Sequence, residues 1–446
     1  MTKRRPPAAS EPRADQPSVA GARRWSSRLR TIPLALQRRT RLLLLAVLAL
    51  LARPFVRRRA ADAPQKILYV KPDHLGDLLL ATPALAALRR QFPEARITAL
   101  VGPWSRAVLE RNPDVDALLV CPFPGFNRAA PGSGLAFRLA PWLRLLHYGA
   151  LLRAGSYDLA LIGRDDHWWG AALALLAGIP RRIGFAVPEC RPLLTDALPW
   201  HPRDHVTAQG LALVAQAASE ATSNKRDTGG SAPAPSPQPG APPVARFDPA
   251  PADLAWAATW RAENCPAGER LVVIHPGTGG PAKHWAAERW SAVGDALAEG
   301  GGVRLALTGG PGEERLVEEV AVGMRTRPLI LAGRTSVGQL AALMRLADLV
   351  LGVDSGPLHL AAAQGAPTVH LYGPGDDQRF GPWGDSQRHR VLRAELPCSP
   401  CGVFDACPRG LAFPECMDLI RTEQVASAAR EMLHAKMQRR ADTELL

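Results

Sequence analysis

The chain has 446 residues, enough for two or three domains that each bury a core, and 47% of them are hydrophobic, as in ordinary globular proteins. Its net charge of +13 is confined to one end: residues 1–59 hold 15 lysines and arginines against two acidic residues, so residues 60–446 are neutral overall. This distribution argues against a nucleic-acid-binding surface on the globular body and indicates an anionic partner for the N-terminal tail, most simply a membrane.

The tail, residues 1–63, contains one short apolar run. Residues 1–30 are rich in proline, alanine, serine and arginine and have the composition of a disordered segment, whereas residues 42–52 are uninterruptedly apolar. A membrane-spanning helix needs about 20 apolar residues. Because this run is shorter and has arginines on both sides, we predict that residues 1–59 lie on an anionic membrane surface without crossing it. A cleaved signal peptide, a twin-arginine signal and an extension without a role are the alternatives.

Residues 64–218 alternate between predicted strands and helices. Short apolar runs predict five strands, at residues 66–71, 97–101, 117–120, 159–162 and 182–185. Apolar residues at helical spacing predict two helices, at residues 77–91 and 168–177. Strands that alternate with helices form a parallel, doubly wound sheet. The pattern therefore predicts a first Rossmann-like domain.

Residues 219–252 interrupt the alternation with eight prolines among glycine, serine and alanine, which is the composition of a linker. A second alternating series follows in residues 253–425, and residues 426–446 are predicted to be a C-terminal helix or tail. Its predicted strands are at residues 271–275, 304–308, 329–331, 349–353 and 368–372. Its predicted helices are at residues 254–264, 286–299 and 337–347. Ligands of such sheets bind beyond the carboxyl ends of the strands, so we expect the active site in a cleft between the two domains.

Several of these strand ends carry residues suited to chemistry. Asp77 follows a glycine at a helix start, where a carboxylate can act as a general base or can simply favour the helix dipole. A glycine-rich loop over residues 275–285 contains Thr278 and Lys283 and has the composition of a diphosphate cradle, or of a flexible loop. Glu313, behind another glycine-rich turn, is of the type that binds ribose hydroxyls, or is a favourable helix charge.

The turn that begins at Asp354 is the most informative of these loops. A predicted strand ends there, and Ser355 and Gly356 open a helix of small residues. The N–H groups and positive dipole end of a helix start suit a phosphate, although an ordinary capped turn has the same pattern. In the preceding loop, Ser336 or Thr335 is predicted to cap the next helix.

In chain order, these loops resemble glycosyltransferase family 9, the group that contains the ADP-heptose:lipopolysaccharide heptosyltransferases. The matching residues lie within residues 66–425 and leave out the tail and the linker. They are Gly76-Asp77, His275-Pro276-Gly277 with Lys283-His284-Trp285, Gly309-Gly310-Pro311 with Glu313, Ala332-Gly333-Arg334-Thr335, Asp354-Ser355-Gly356-Pro357-Leu358-His359 and Tyr372-Gly373-Pro374. The resemblance implies an α/β protein of the GT-B fold, with two Rossmann-like doubly wound domains facing a cleft.

The resemblance also implies an inverting transfer of heptose from ADP-heptose to a lipopolysaccharide core acceptor. The donor would lie on the second domain and the lipid-linked acceptor on the first. Asp77 would be the general base that deprotonates the acceptor hydroxyl, and Lys283 and Thr278 would contact the donor diphosphate. The backbone of Ser355 and Gly356 would hold a phosphate.

Further donor residues follow from the same resemblance: Asp354 and His359 would lie close to the donor, and Glu313, or the glutamate after it, would bind the ribose. For the acceptor, Arg164 and Arg182 are candidates because they lie at predicted strand ends of the first domain. The protein is expected to be a peripheral one on the cytoplasmic face of the inner membrane, with a nucleotide sugar and a lipid-linked saccharide as partners and no nucleic acid.

No metal or other cofactor is expected in catalysis, since Lys283 and a helix N-terminus can supply positive charge to the leaving diphosphate and the sequence has no Asp-x-Asp motif. Four clustered cysteines are predicted to form a structural zinc site or, alternatively, to be buried and reduced. These cysteines are Cys398, Cys401, Cys407 and Cys416.

Three other functions stay open at this point. The same fold could use another nucleotide sugar on another glycolipid. Two Rossmann-like domains also fit an NAD-dependent dehydrogenase, which the lack of a Gly-x-Gly-x-x-Gly segment after the first strand disfavours. A non-catalytic nucleotide-binding module is the third, and the presence of Asp77 and Lys283 disfavours it.

Overall fold

A computed structural model describes residues 34–57, 63–126, 135–226 and 243–444. The predicted disorder of residues 1–30 and most of the predicted linker lie outside these residues. The chain divides into two compact units, residues 1–44 and 45–446, and the second unit contains both sheets. Of the first unit, only the beginning of one helix is described.

Twelve strands and fourteen α-helices are found in the described residues. The strands are β1 (Lys66–Lys71), β2 (Arg96–Val101), β3 (Ala117–Val120), β4 (Leu159–Ile162), β5 (Arg181–Phe185), β6 (Asp196–Leu198), β7 (Arg270–His275), β8 (Val303–Leu307), β9 (Leu329–Ile330), β10 (Leu349–Val353), β11 (Thr368–Tyr372) and β12 (His389–Arg393). The helices are α1 (Leu34–Ala52), α2 (Leu75–Leu79), α3 (Thr82–Gln91), α4 (Leu135–Gly155), α5 (Trp168–Leu176), α6 (Val206–Arg226), α7 (Pro251–Asn264), α8 (Ala287–Ala298), α9 (Glu314–Gly323), α10 (Val337–Leu346), α11 (Gly356–Ala363), α12 (Asp377–Phe380), α13 (Glu415–Asp418) and α14 (Thr422–Glu444).

The strands form two six-stranded sheets with the same topology. The first has the order β3-β2-β1-β4-β5-β6 and the second the order β12-β11-β10-β7-β8-β9, and all neighbouring strands are parallel. Numbered from its own first strand, each sheet is a doubly wound 3-2-1-4-5-6 arrangement. We call the parts built on these sheets the first half and the second half. The predicted pair of Rossmann-like folds is confirmed.

Each sheet is covered by helices on both faces because its strands are apolar on both. In β1, Ile67 and Tyr69 enter one buried cluster, whereas Leu68 and Val70 enter the cluster on the opposite face. This alternation follows from the two-residue period of a strand. It leaves the carboxyl ends of the strands as the place where polar loops can gather.

The predicted helix over residues 77–91 is wrong in one respect. The structure has two helices there, α2 and α3, separated at residues 80 and 81. Pro83 lies in the first turn of α3, and proline lacks the N–H that a continuous helix needs and crowds the preceding turn. The break turns α2 into a short helix whose start lies at the cleft.

The linker prediction was too long at both ends, because α6 continues to Arg226 and α7 begins at Pro251. No helix was predicted where α4 and α6 lie, because the apolar residues of these two helices lack strong helical periodicity. None of the described helices combines the length and apolarity needed to cross a bilayer.

Candidate active site

The two halves meet through two glycines at the carboxyl edges of their sheets. Gly76 lies in α2, after β1, and Gly356 begins α11, after β10. A Cβ atom on Gly76 would lie 3.1 Å from the Gly356 Cα and 3.0 Å from the ring of His359, and one on Gly356 would lie 3.3 Å from the Gly76 nitrogen. Only residues without a side chain allow this approach. It brings Asp77, the next residue of α2, to the boundary between the halves.

A buried ion cluster lies beside this contact in the first half. Lys71 Nζ is 3.1 Å from Asp73 Oδ2 and also donates to the Gly163 carbonyl at 2.9 Å. Arg164 donates to the other carboxylate oxygen of Asp73 at 2.5 Å, and its guanidinium lies over the Phe126 ring. Burial opposes ionisation of Asp73, but Lys71 and Arg164 outweigh it and lower the pKa of this carboxyl to about 2. The cluster joins the ends of β1 and β4, where the strand order of the first sheet reverses.

Asp77 is half-buried next to this cluster. Removal from water, the negative charge of Asp73 and the more weakly acting Asp354 raise the pKa of Asp77 to about 6, against the opposing effect of Lys71 and Arg164. A carboxylate with such a pKa is ionised at neutral pH yet more basic than an ordinary aspartate. This is the property required of a general base.

The equivalent place in the second half holds an ion pair between a lysine and an aspartate. Lys283 Nζ lies 2.6 Å from Asp354 Oδ2 and 4.0 Å from the centre of the Phe404 ring. Thr278 donates its hydroxyl to the Asp354 carbonyl at 3.3 Å. The loop after β7 and the loop after β10 are therefore joined by side chains that the sequence predicted for the donor site.

The N-terminus of α11 has unused hydrogen-bonding capacity. Ser355 precedes the helix in an extended conformation, does not cap it, and is 8% exposed, and its hydroxyl has no partner among the described residues. The Nδ1 atom of buried His359 is likewise without a partner there. Burial lowers the pKa of His359 to about 4, although Asp354 opposes the shift, so the ring is neutral at pH 7. Polar groups that are buried without a partner indicate a ligand.

Glu313 and Glu314, the two candidates for binding the ribose, make different contacts. Glu313 accepts a hydrogen bond from the Gly310 N–H at 2.7 Å and lies 3.5 Å from the buried His275. A Cβ on Gly277 would collide with its carboxylate. Glu314 instead accepts from the Gly312 N–H at 2.8 Å. Glu313 is therefore the glutamate beside the glycine-rich loop after β7, and its role at the ribose stays a prediction.

Two further contacts tie the halves together. Asp165, in the loop after β4, accepts a hydrogen bond from Arg379 of α12 at 3.1 Å. His205 Nε2 lies 3.1 Å from the carbonyl oxygen of Gly381, and its ring packs against Trp383 at 4.8 Å. The site therefore lies in a cleft whose two walls are in direct contact.

The structure separates the two arginines considered for the acceptor. Arg164 lies at the carboxyl edge of the first sheet, within the ion cluster. Arg182 is the second residue of β5, at the opposite end of the strand, and its buried guanidinium donates to the carbonyls of Leu193 at 2.7 Å and Ile179 at 2.5 Å. Burial lowers the pKa of Arg182 to about 10. Its contacts are structural, and we leave Arg182 out of the site.

The four cysteines lie at different depths: Cys416 is buried, Cys407 is half-exposed, and Cys398 and Cys401 are exposed. Burial, and then the nearby thiols of the other three, raise the pKa of the Cys416 thiol. Within the described ranges, no group of three or more histidine, cysteine or acidic side chains is placed to hold a metal. The zinc site stays a prediction.

The same cysteine-rich segment has a role that its spacing did not indicate. The carbonyl of Phe404 accepts a hydrogen bond from the Ala282 N–H at 2.9 Å, and a Cβ on Gly280 would lie 2.8 Å from the Phe404 Cβ. The segment thus packs against the glycine-rich loop and places an aromatic ring under Lys283. No sequence motif announces this long-range contact.

Asp73 and His167 were also not predicted as site residues. Both lie at the cleft edge of the first sheet and are buried. Neither ring nitrogen of His167 has a partner among the described residues, and its ring packs against Phe123 at 5.1 Å. Burial lowers the pKa of His167 to about 3, so it is neutral. The acidic residue two positions after Lys71 was the one available signal for the ion cluster.

Comparison with known proteins gives a consistent picture. The family model for glycosyltransferase family 9 (heptosyltransferase) matches residues 145–406. Among curated proteins, lipopolysaccharide heptosyltransferase 3 of Escherichia coli is 30% identical over 320 residues, which cover 70% of this chain and 84% of the relative. Lipooligosaccharide heptosyltransferase 2 of Haemophilus ducreyi is 28% identical over 318 residues, 69% of this chain and 83% of the relative.

Solved structures show the same fold. A family 9 glycosyl transferase from Veillonella parvula superposes with a TM-score of 0.65 at 23% identity, covering 84% of this chain and 99% of that one. The ADP-heptose lipopolysaccharide heptosyltransferase II of Escherichia coli superposes with a TM-score of 0.62 at 20% identity, covering 83% and 99%. The GT-B fold is confirmed, and the enzyme is a transferase rather than a dehydrogenase or a non-catalytic module. This chain belongs to glycosyltransferase family 9, the heptosyltransferase family.

Proposed function

We propose that this enzyme transfers a heptose from ADP-heptose to a lipid-linked saccharide of the lipopolysaccharide core, in one inverting displacement. The names of its relatives, which are lipopolysaccharide and lipooligosaccharide heptosyltransferases, support the sugar and the class of acceptor. The observation that carries the proposal is the position of Asp77, whose carboxyl has a pKa raised to about 6 and lies where the two halves touch.

In the proposed reaction, Asp77 accepts the proton of the acceptor hydroxyl as that oxygen attacks the anomeric carbon. The bond from this carbon to the diphosphate oxygen breaks, ADP leaves with the electron pair, and the anomeric configuration inverts. The transition state resembles an oxocarbenium ion, so the base must face the acceptor while positive charge meets the leaving diphosphate.

The second half supplies that positive charge. Lys283, held by Asp354 and Phe404, would contact the diphosphate together with the hydroxyl of Thr278. The Ser355 hydroxyl, which has no partner among the residues that the structure describes, and the N–H of Gly356, at the positive end of α11, would donate to phosphate oxygens. These groups lie close together around Asp354, an arrangement that would stabilise the charge of the leaving diphosphate.

The remaining contacts are assigned by position. Glu313, beside the glycine-rich loop, would bind the ribose, and His359 would lie close to the donor sugar and Asp77. Arg164 is the proposed acceptor contact, because it reaches the cleft edge of the first half next to the base. No step of this scheme requires a metal or another cofactor, and zinc at the four cysteines would be structural.

The proposed organisation places the acceptor on the first half, the donor on the second half and, between them, a linker that is limited to the residues between the end of α6 and the start of α7. Residues 1–59 would hold the protein on an anionic leaflet, as a peripheral protein of the cytoplasmic face of the inner membrane. This location would put the enzyme at a lipid-linked acceptor.

The test is a transfer assay on the wild type and Asp77→Asn with ADP-heptose and a core acceptor, followed by determination of the anomeric configuration of the product. We expect transfer with inversion in the wild type and a loss of about 10²- to 10⁴-fold in kcat in the variant, as for removal of a general base. Calorimetry should show unchanged ADP affinity for Asp77→Asn and weaker ADP binding for Lys283→Ala.

Two results would contradict the proposal. Full activity of Asp77→Asn would remove the base from the mechanism, whereas a preference for UDP- or GDP-sugars would keep the fold and the base but assign another donor. Comparing ADP, UDP and GDP in the same calorimetric experiment separates these cases.

A further inference from the structure

Two helices of the first half expose many large apolar side chains. On the segment from residue 45 to residue 55 these are Val47, Leu50, Leu51 and Phe55, and on α4 they are Leu139, Trp142, Leu143, Leu146 and Leu151. Together they are nine of the twenty exposed large hydrophobic side chains in the part of the chain that the structure describes. Single exposed leucines are ordinary, but a concentration of this kind marks an interaction surface. We call these nine residues the apolar face.

The apolar face belongs to one side of the first half. The inward residues of both helices, Leu45 and Ala52 on α1 and Leu145 and Leu152 on α4, enter the same buried cluster. In addition, Arg153 of α4 donates to the backbone carbonyl just after α1, at residue 55, at 3.0 Å. The outward residues of the two helices therefore form one surface over the same face of the first sheet.

The charges on the two helical segments that carry the apolar face have one sign. Neither α1 nor α4 contains an aspartate or a glutamate. Arg53 and Arg144 are exposed, on the two helical segments respectively. An apolar surface with exposed arginines and no acidic residue is complementary to the apolar interior and anionic headgroups of a phospholipid leaflet.

The apolar face also leads to the active site. Trp142 of α4 packs against Trp168, the first residue of α5, with ring centres 6.1 Å apart. Trp169 donates its indole N–H to the Pro141 carbonyl at 3.2 Å. Because Trp168 follows Arg164 by four residues, the part of α4 around Trp142 lies next to the proposed acceptor side of the cleft.

We propose that the apolar face is a docking surface for an anionic phospholipid bilayer, and that it directs the acceptor side of the cleft towards the membrane. This inference rests on the proposed function for the nature of the acceptor. It adds to the tail a surface of the folded body, mainly α4, which fixes orientation as well as attachment. A second copy of the chain is a poorer occupant, since a symmetric contact would bring arginines of the same patch together without acidic partners.

The test uses the full chain and sedimentation with vesicles of phosphatidylglycerol and phosphatidylethanolamine, compared with vesicles of phosphatidylcholine alone. The variant is Leu143→Glu with Leu146→Glu, two positions that are 63% and 62% exposed and so tolerate the change in the folded protein. We expect the partition onto anionic vesicles to fall at least about tenfold, because two inserted side chains are replaced by charges. Val322→Glu on α9, at a position 76% exposed, is the matched control and should bind as the wild type does.

Transfer to a delipidated, water-soluble acceptor separates this inference from the proposed function. We expect the double variant to keep wild-type activity on that acceptor and to lose activity on acceptor embedded in vesicles. Unchanged vesicle binding by the variant would overturn the docking surface, as would a wild-type dimer that the variant converts to a monomer in light scattering. Absence of heptose transfer by the wild type would instead refute the proposed function and leave the vesicle result standing.

If the double variant unfolds at a lower temperature than the control, Arg144→Glu provides an independent measurement. It should weaken binding to anionic vesicles several-fold and lose this effect at high salt. Equal binding of Arg144→Glu and wild type at low salt would contradict the role of charge at this surface.

Discussion

The two halves have the same strand order but differ in the charges they place where that order reverses. In both, a lysine is paired with a buried aspartate: Lys71 with Asp73 at 3.1 Å in the first half, and Lys283 with Asp354 at 2.6 Å in the second. The first half adds Arg164 and, beside the cluster, Asp77. The second half adds hydrogen-bond donors at the start of a helix.

In the proposed mechanism, this difference lets one topology support two tasks. A carboxylate that lies near another negative charge and away from water becomes a stronger base, which suits a half that activates a hydroxyl. A lysine beside helix N–H groups and an unpartnered serine attracts anions, which suits a half that holds a diphosphate. The fold supplies the common edge, and a few loop residues determine what binds there.

The largest expected effect comes from separating the halves. Gly76→Ala places a methyl group 3.0 Å from the His359 ring and 3.1 Å from the Gly356 Cα, so α2 and Asp77 must shift. We expect kcat to fall about 100-fold, the size of effect caused by small misplacements of reacting groups. Steady-state kinetics and ADP calorimetry check this, since the proposed ADP site is on the other half and its affinity should not change.

Gly149→Ala is the matched control for this substitution. It adds the same methyl group within a helix, α4, at 3.3 Å from the Leu176 Cβ and on the opposite side of the first sheet from α2. Its kcat should be that of the wild type. If Gly76→Ala were equally active, the glycine contact would not position the base.

The next effect distinguishes a structural arginine from a functional one. Arg182→Ala leaves buried carbonyls of Leu193 and Ile179 without their donor, and we expect a loss of about 2 kcal/mol in the free energy of unfolding. The KM for the acceptor should be unchanged. Urea denaturation and kinetics measure the two quantities.

Arg164→Ala, by contrast, should raise the acceptor KM about tenfold, the cost of losing one charged hydrogen bond. An increased KM in Arg182→Ala, with normal stability, would reverse the assignment made from the structure.

A smaller effect concerns pH. The charge of Asp73 raises the pKa of Asp77, so Asp73→Asn should lower it, and the uncompensated Lys71 and Arg164 act in the same direction. Since the base must be ionised, kcat/KM of the wild type rises with pH through about 6. In Asp73→Asn this acidic limb should move to lower pH by about one unit.

Asp354→Asn is the comparison in the second half. Asp354 acts on the Asp77 carboxyl more weakly than Asp73 does, so its removal should shift the acidic limb less while weakening donor binding. An equal shift in both variants would mean that the two buried carboxylates are equivalent for the base.

The smallest effect is local. Ser336 accepts a hydrogen bond from the Gln339 N–H at 3.0 Å and caps α10, as the sequence predicted, with the Gln339 side chain completing the capping box. Ser336→Ala should cost about 1 kcal/mol of stability. Thermal unfolding measures this change, and kcat should stay within error of the wild type; reduced activity at equal stability would place this cap in the site.

Predictions from the sequence were most accurate for buried strands and for loops with a local signature. β1, β3, β4, β10 and β11 have the predicted bounds. Apolar runs bounded by polar loops and glycines are sufficient for such strands, because both faces of a parallel sheet are buried. The helix that breaks into α2 and α3 was missed for a local reason, the proline at residue 83.

Long-range contacts were missed for a different reason. Phe404 reaches Lys283 from a segment more than a hundred residues away, and Arg379 reaches Asp165 across the cleft. Neither pair has a sequence signal, because their distance along the chain says nothing about their distance in space. Arg182 is a different case, because the predicted strand 182–185 already placed it at an amino end, away from the carboxyl edge where ligands bind; the structure added its hydrogen bonds to Leu193 and Ile179.

The sequence by itself determined the two doubly wound series, the family and the order of the polar loops, since each depends on local pattern and spacing. Tertiary structure decided which of these loops meet. It placed Asp77 against the start of α11, turned Asp73 into a buried counter-charge, and joined the apolar residues of α4 with those of α1. Those properties depend on distances between segments and on exclusion of water, and both arise only when the chain is packed.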